Sequence, residues 1–390
     1  MDQATSTRIG LPRTMMVGRG AISRIGSLLA EFGVSRPVIV TDSYFAGRGT
    51  MRSIIGGLEA AGVAPALWSS TVPDPTSNSL VGCVEAARAH RADSVIGVGG
   101  GSSIDTAKAV ALQSVQGGQM RDYKAPRHNV GPALPVVAVP TTAGSGSEVT
   151  QFTIITDDAT DEKMLCAGPA FLPVAAIVDA DLTVSMPPRL TADTGIDALT
   201  HAIEAYVSKK ANPFSDSLAL VAIKTIGRAL RGVYADGADI ALRGQMALAA
   251  TQAGIAFSNA SVALVHGMSR PIGAHFHVAH GLSNAMLLPA VTAFSASGAA
   301  SRYADCARDF GVATVRDSDA IAAAKLVDAL QALCVDLHVP TPMEYGIDRA
   351  KWESLIPTMA DQALASGSPA NNPRVPTAEQ IGQLYEQVYC

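Results

Sequence analysis

Short apolar runs of four or five residues alternate with longer stretches of helical period through the first half of the chain. Residues 37–41 (PVIVT), 94–98 (SVIGV), 136–139 (VVAV), 152–155 (FTII) and 175–178 (AAIV) predict buried strands. Between them, residues 51–61, 80–90 and 103–114 predict helices. That alternation predicts a mostly parallel sheet covered on both faces. From about residue 191 the strands stop. Residues 191–207, 215–230, 240–256, 319–337 and 350–363 repeat apolar positions at helical spacing and are rich in Ala and Leu. The segment Met186-Pro187-Pro188-Arg189 separates the two textures, because paired prolines stop both strand and helix. The expected division is therefore an α/β domain over 1–188 and an all-helical domain over 189–390. Residues 365–374 (ASGSPANNPR) predict a surface loop.

Composition narrows the classes. A chain of 390 residues with 48% hydrophobic and 16% charged residues can bury two cores. A net charge of -5 gives no electrostatic reason for a nucleic acid or an anionic membrane as partner. Cys83, Cys166, Cys306, Cys334 and Cys390 are scattered and odd in number, which predicts reduced thiols of a cytoplasmic protein. The N-terminal residues carry no secretory pattern, and no apolar run reaches the length of a membrane span.

Two glycine-rich loops follow predicted strands. Gly99, Gly100, Gly101 and Ser102 lead into a helix that carries Asp105. Glycines there let backbone approach a phosphate, and the helix N-terminus supplies free N–H groups and a favourable dipole. The second loop, residues 140–149 (PTTAGSGSEV), includes Thr141, Thr142, Ser147 and Val149. Two such loops fit a dinucleotide along the carboxyl edge of a sheet. Asp42 ends a strand. It can hydrogen-bond an adenosine ribose and repel a 2′-phosphate, or it can simply cap a turn.

A second constellation lies in the helical half. Asp197 and His201 stand four apart, on one face of a predicted helix. His266, His275, His277 and His280 fall within fifteen residues, in a segment whose Pro271 and glycines predict irregular backbone. Imidazoles with one carboxylate suit Fe(II) or Zn(II), and the absence of cysteine ligands argues against a closed structural zinc site. The spacing alone leaves open which of the four clustered histidines bind.

The segments GGGSSIDTAK, PTTAGSGSEVT, GIDALTHAIEAY and HG(x)12HG together resemble the iron-containing (group III) alcohol dehydrogenases, over nearly the whole chain. The resemblance implies a Rossmann-like α/β N-terminal domain plus an all-α C-terminal domain, the architecture shared with dehydroquinate synthase. It implies Asp197, His201, His266 and His280 as metal ligands, with His275 and His277 at non-ligand positions. It puts the pyrophosphate on Gly99, Gly100, Gly101 and Ser102, further cofactor contacts on Thr141, Thr142, Ser147 and Val149, and Lys163 near the cofactor ribose. Asp42 matches an acid associated with NAD(H) over NADP(H). The implied substrate is a small alcohol or aldehyde, and the Ala-rich helical half is a candidate interface for a homodimer.

One position departs from the family pattern. Many members have a histidine four residues after the third ligand, and this chain has Arg270. A guanidinium cannot act as a base at neutral pH. Proton transfer then falls to water, the cofactor ribose or His277, and Arg270 is free to hold an anionic substrate group. The expected reaction is hydride transfer between nicotinamide C4 and a small alcohol or aldehyde at the metal. The alternatives are a reductase of anionic aldehydes or oxo acids, and an NAD-using lyase or cyclase of the dehydroquinate-synthase type. A glycerol-dehydrogenase-like zinc enzyme and a non-catalytic nucleotide-binding protein are further ones.

Overall fold

The structure, a computed structural model, describes residues 6–390. It divides into two compact units: Gly10–Ser185, and Met186–Cys390 together with residues 6–9. The division falls just before Pro187 and Pro188.

The first unit contains strands β1 (Thr14–Val17), β2 (Pro37–Val40), β3 (Ala66–Trp68), β4 (Ser94–Gly99), β5 (Val136–Pro140), β6 (Phe152–Asp157), β7 (Glu162–Ala167) and β8 (Ala175–Val178). Its helices are α1 (Ile25–Glu31), α2 (Ser43–Ala46), α3 (Gly49–Ala60), α4 (Ser77–Ala89) and α5 (Gly101–Gln116). Six strands form one parallel sheet in the order β1-β8-β5-β4-β2-β3. Both faces are covered, which explains why β2 reads as a continuous apolar run. Val38 and Val40 pack into one core with Leu80, Val84 and Val110, while Ile39 packs into the other with Leu28, Met51 and Leu58.

Residues 152–155 were expected in that sheet and are not. β6 pairs antiparallel with β7 in a separate two-stranded sheet, and its alternating burial is that of a strand with one covered face. β1 and β3 escaped the sequence pattern because they are short edge strands with half-exposed residues.

The second unit is helical: α6 (Pro188–Val207), α7 (Pro213–Ala235), α8 (Ile240–Asn259), α9 (Leu264–Phe276), α10 (His280–Ala296), α11 (Ala300–Phe310), α12 (Asp319–Asp336), α13 (Arg349–Ala365) and α14 (Ala378–Val388). Pro188 occupies the first turn of α6, where its missing N–H costs nothing. The backbone expected to be irregular around Pro271 is helix: α9 runs through it, and only residues 277–279 break the path to α10. The expected surface loop at 365–374 is also corrected. Ser368, Asn371 and Asn372 are buried, and Asn371 Nδ2 donates to Ser261 Oγ and Val262 O, bracing the approach to α9. No single helix among the described residues is long and apolar enough to cross a membrane.

Candidate metal centre and cofactor loops

On α6, Asp197, His201 and Glu204 fall on one stripe at helical spacing, and all three are buried. α9 brings His266 and α10 brings His280. Asp197 Oδ1 lies 3.9 Å from His201 Nε2, 3.5 Å from His266 Nε2 and 3.7 Å from His280 Nε2. One ligand atom from each of the four residues lies within 4.8 Å of the others. Bonds of about 2.1 Å around a tetrahedral ion put neighbouring donors about 3.4 Å apart, so the set fits a single cation. The His280 side chain is 40% exposed against 5% for Asp197, so the centre is open on the His280 side.

The surroundings are also built for positive charge. Glu204 is buried, and its oxygens accept from Ala263 N at 2.8 Å, Val265 N at 2.5 Å and His266 Nδ1 at 2.7 Å. Burial pulls the His266 pKa down, but hydrogen bonds to Asp197 and Glu204 outweigh it and push it up to about 9. Burial pushes the Asp197 carboxyl up, and the charges of His201 and His280 with the His266 contacts overcome this and hold it well below the usual range. Asn284, one turn after His280, points Nδ2 at Asp197 Oδ1 (2.7 Å), His266 Nε2 and His280 Nε2 (both 3.2 Å). Its own Oδ1 is buried with no partner. An amide nitrogen set among three acceptors, with its oxygen unsatisfied, marks a place that favours a cation. Stacking fixes the rings: His201 lies 4.2 Å from Phe257 and 4.4 Å from His266, centroid to centroid.

Each HG pair has its own steric cause. A Cβ on Gly281 would lie 2.5 Å from the Asp193 carbonyl oxygen, so glycine lets α10 start against α6 one turn before Asp197. A Cβ on Gly267 would lie 2.8 Å from the Pro369 ring. His277 does not join the cluster. It is exposed, caps α9 at φ 54°, and lines a shallow cavity with His275, Tyr345 and Lys351. His275 is bonded to Gln362.

In the α/β unit, the two glycine-rich loops face each other. Thr141 N donates to Gly99 O at 2.9 Å, and the Cβ positions of Gly100 and Gly101 look onto Thr142 and Ser145. Gly100 is the N-cap of the sixteen-residue α5 and offers no side chain to its first N–H groups. Asp42 caps a turn, one of the two readings its position allowed. Oδ1 accepts from Phe45 N at 2.8 Å as the cap of α2, while Oδ2 lies at the Gly99 turn.

Asp105 was expected at the cofactor, but its oxygens are engaged inside the domain by Ser147 Oγ at 2.6 Å and Ile154 N at 2.9 Å. It ties α5 to the second loop, which commits the Ser147 hydroxyl as well. Val149 is fully buried. Lys163 is held by Asp74 at 3.0 Å.

Residues 12–180 match the family described as iron-containing alcohol dehydrogenase, and residues 191–389 match the Fe-containing alcohol dehydrogenase family, C-terminal. The chain belongs to the iron-containing alcohol dehydrogenase family. It is 36% identical over 379 residues to the NAD-dependent methanol dehydrogenase of Bacillus methanolicus, covering 97% of this chain and 98% of that one. It is 36% identical over 387 residues to the lactaldehyde reductase of Escherichia coli K12, covering 98% and 100%. A crystal structure of a 1,3-propanediol oxidoreductase superposes with a TM-score of 0.95 at 33% identity, covering 99% and 100%. Membership makes the chain an NAD-linked oxidoreductase of alcohols and aldehydes, in preference to the lyase reading.

Two residues that matter to this family site were not singled out from the sequence. Glu204 follows His201 by three and Asn284 follows His280 by four. A carboxylate or amide one turn from a ligand, on an otherwise apolar helix face, was the available signal.

Proposed function

We propose that the protein interconverts a small alcohol and its aldehyde with NAD(H) at a divalent metal held by Asp197, His201, His266 and His280. The convergence of these four ligand atoms, backed by Glu204 and Asn284, carries the reading. When bound, the metal supplies Lewis acidity towards the substrate oxygen. Glu204 holds the His266 Nδ1 proton, which leaves Nε2 to the ion. Asp197 supplies the one anionic ligand. Fe(II) is the metal proposed, and the nitrogen and oxygen donor set also accepts Zn(II).

The cofactor loops would seat the pyrophosphate on Gly100, Gly101 and Ser102 at the N-terminus of α5, beside Thr141 and Thr142. Asp42 beside the Gly99 turn supports NAD(H) over NADP(H), as does the NAD-dependent methanol dehydrogenase relative. The ammonium of Lys163 is held by Asp74, and we propose that it approaches the ribose from there. A homodimer is the assembly proposed. The edge strand β1, with Val17 exposed on it and Leu11 exposed just before it, offers a pairing template, and sedimentation at micromolar concentration tests it. Buried thiols at Cys83, Cys166 and Cys306 suit a reducing, cytoplasmic setting.

The test is metal-stripped protein reloaded with Fe(II) or Zn(II) and assayed for aldehyde-dependent NADH oxidation, beside Asp197→Ala and His280→Ala. Loss of both metal and turnover in the variants is expected. A variant that retains both would sink the reading.

A further inference from the structure

Arg270 lies on α9 one turn after His266, on the same face of the helix as that ligand. It is only partly exposed. Among the described residues, no hydrogen bond and no ion pair reaches its guanidinium, unlike that of Arg243, the buried arginine of this unit. Arg243 is fully buried, and it donates to Gly237 O, Thr191 Oγ1 and Met186 O. A partly exposed guanidinium with no protein acceptor keeps its donors open to an anion from outside the chain.

The nearest anion does not serve. Glu204 acts on Arg270 through its charge, but its oxygens are bonded to Ala263, Val265 and His266. Burial lowers the Arg270 pKa, as expected for a cation short of a counterion, yet it stays charged at neutral pH.

We propose that Arg270 is the substrate's anion contact, and that the substrate is a short aldehyde bearing a carboxylate, phosphonate or sulfonate group. This rests on the aldehyde-reductase reading above. The step is balanced by NADH: hydride passes from nicotinamide C4 to the carbonyl carbon, the C=O π bond opens, and a proton from water completes the hydroxyl. The anionic group is unchanged and serves only to anchor the molecule. Four residues, about 6 Å, separate Arg270 from His266 along α9. That span suits roughly one or two carbons between the reacting carbonyl and the anion.

The experiment compares succinic semialdehyde and sulfoacetaldehyde with propionaldehyde and butyraldehyde, using metal-loaded wild type, Arg270→Ala, Arg270→Met and Arg270→Lys. Far-UV circular dichroism checks that each is folded. Calorimetric titration with 4-hydroxybutyrate reads binding without turnover. The wild-type kcat/KM ratio of anionic to neutral aldehyde is expected to fall by about 30- to 300-fold in the Ala and Met variants, mostly through KM. The Lys variant is expected to recover part of it, and the hydroxy acid to bind wild type far more tightly than the Ala variant. A ratio that ignores the substitution, or a wild type that prefers the neutral aldehydes, overturns the assignment. Failure to reduce any aldehyde overturns the reductase reading instead. The titration then judges Arg270 alone, and equal affinity in wild type and Arg270→Ala rejects it.

Discussion

Glu204 Oε2 accepts the Nδ1 proton of His266 at 2.7 Å, from a helix position seven residues after Asp197. One helix therefore supplies two of the four candidate ligands and the carboxylate that orients a third. In Glu204→Gln, an amide NH2 must face either the Val265 N–H or the N–H groups of Ala263 and His266. Metal affinity is expected to fall about 10- to 100-fold. Competition with a chelator, read by metal analysis, checks this. Unchanged affinity would reduce Glu204 to a helix-joining role.

The two oxygens of Asp42 separate its cap from its charge. Oδ1 caps α2, a role serine can also fill, while Oδ2 faces the Gly99 turn. Asp42→Ser should keep the fold and lift kcat/KM for NADPH relative to NADH by about tenfold, as the repulsion of the 2′-phosphate is removed. Steady-state kinetics with both cofactors decide it, and an unmoved ratio would leave Asp42 as a cap only.

The loop glycines differ in what they tolerate. Gly99 has φ +150°, and an added Cβ would lie 2.5 Å from Ser103 Oγ. Gly100 has φ −73°, and its Cβ would meet Thr142 at 3.5 Å, an ordinary contact. Gly99→Ala should cost about 2–4 kcal/mol and raise the KM for NADH, while Gly100→Ala should cost under about 1 kcal/mol. Urea denaturation of both variants measures the difference. Equal costs would mean the turn relaxes freely.

The sequence was most informative where periodicity or spacing is local. The continuous apolar runs at β2, β4, β5 and β8 announced a sheet covered twice, and the i,i+4 pair Asp197 and His201 announced a helix face. What escaped it depended on partners far along the chain. β6 looks like the other strands, and only its pairing with β7 takes it out of the parallel sheet. Residues 365–374 read as solvent-facing because their composition is polar. Asn371 and Asn372 are buried because each finds a partner, Ser261 and Ser295. Asp105 looked like a ligand contact after a glycine loop and instead holds Ser147. A polar residue's role follows from what stands opposite it, and that is set by tertiary structure.

Alkaline stability should depend on buried thiols. Burial pushes the Cys83, Cys166 and Cys334 thiols up to about 12, from 9.0 for an ordinary cysteine. The folded-state pKa is raised, so the contribution is complete below pH 9 and is lost as pH rises from 9 towards 12, where the unfolded chain releases protons first. For Cys83, which has no exposed surface, the loss between pH 7 and 10 is about 1.4 kcal/mol. Lys108 acts in the opposite direction, since burial lowers its pKa to about 8, but it is common to wild type and variant and cancels in their difference. Cys83→Ala should be less stable than wild type at pH 7 through lost packing, and the gap should narrow by about 1.4 kcal/mol at pH 10. Urea midpoints at the two pH values measure it. A gap that stays constant would mean the folded protein ionises this thiol as readily as the unfolded chain does.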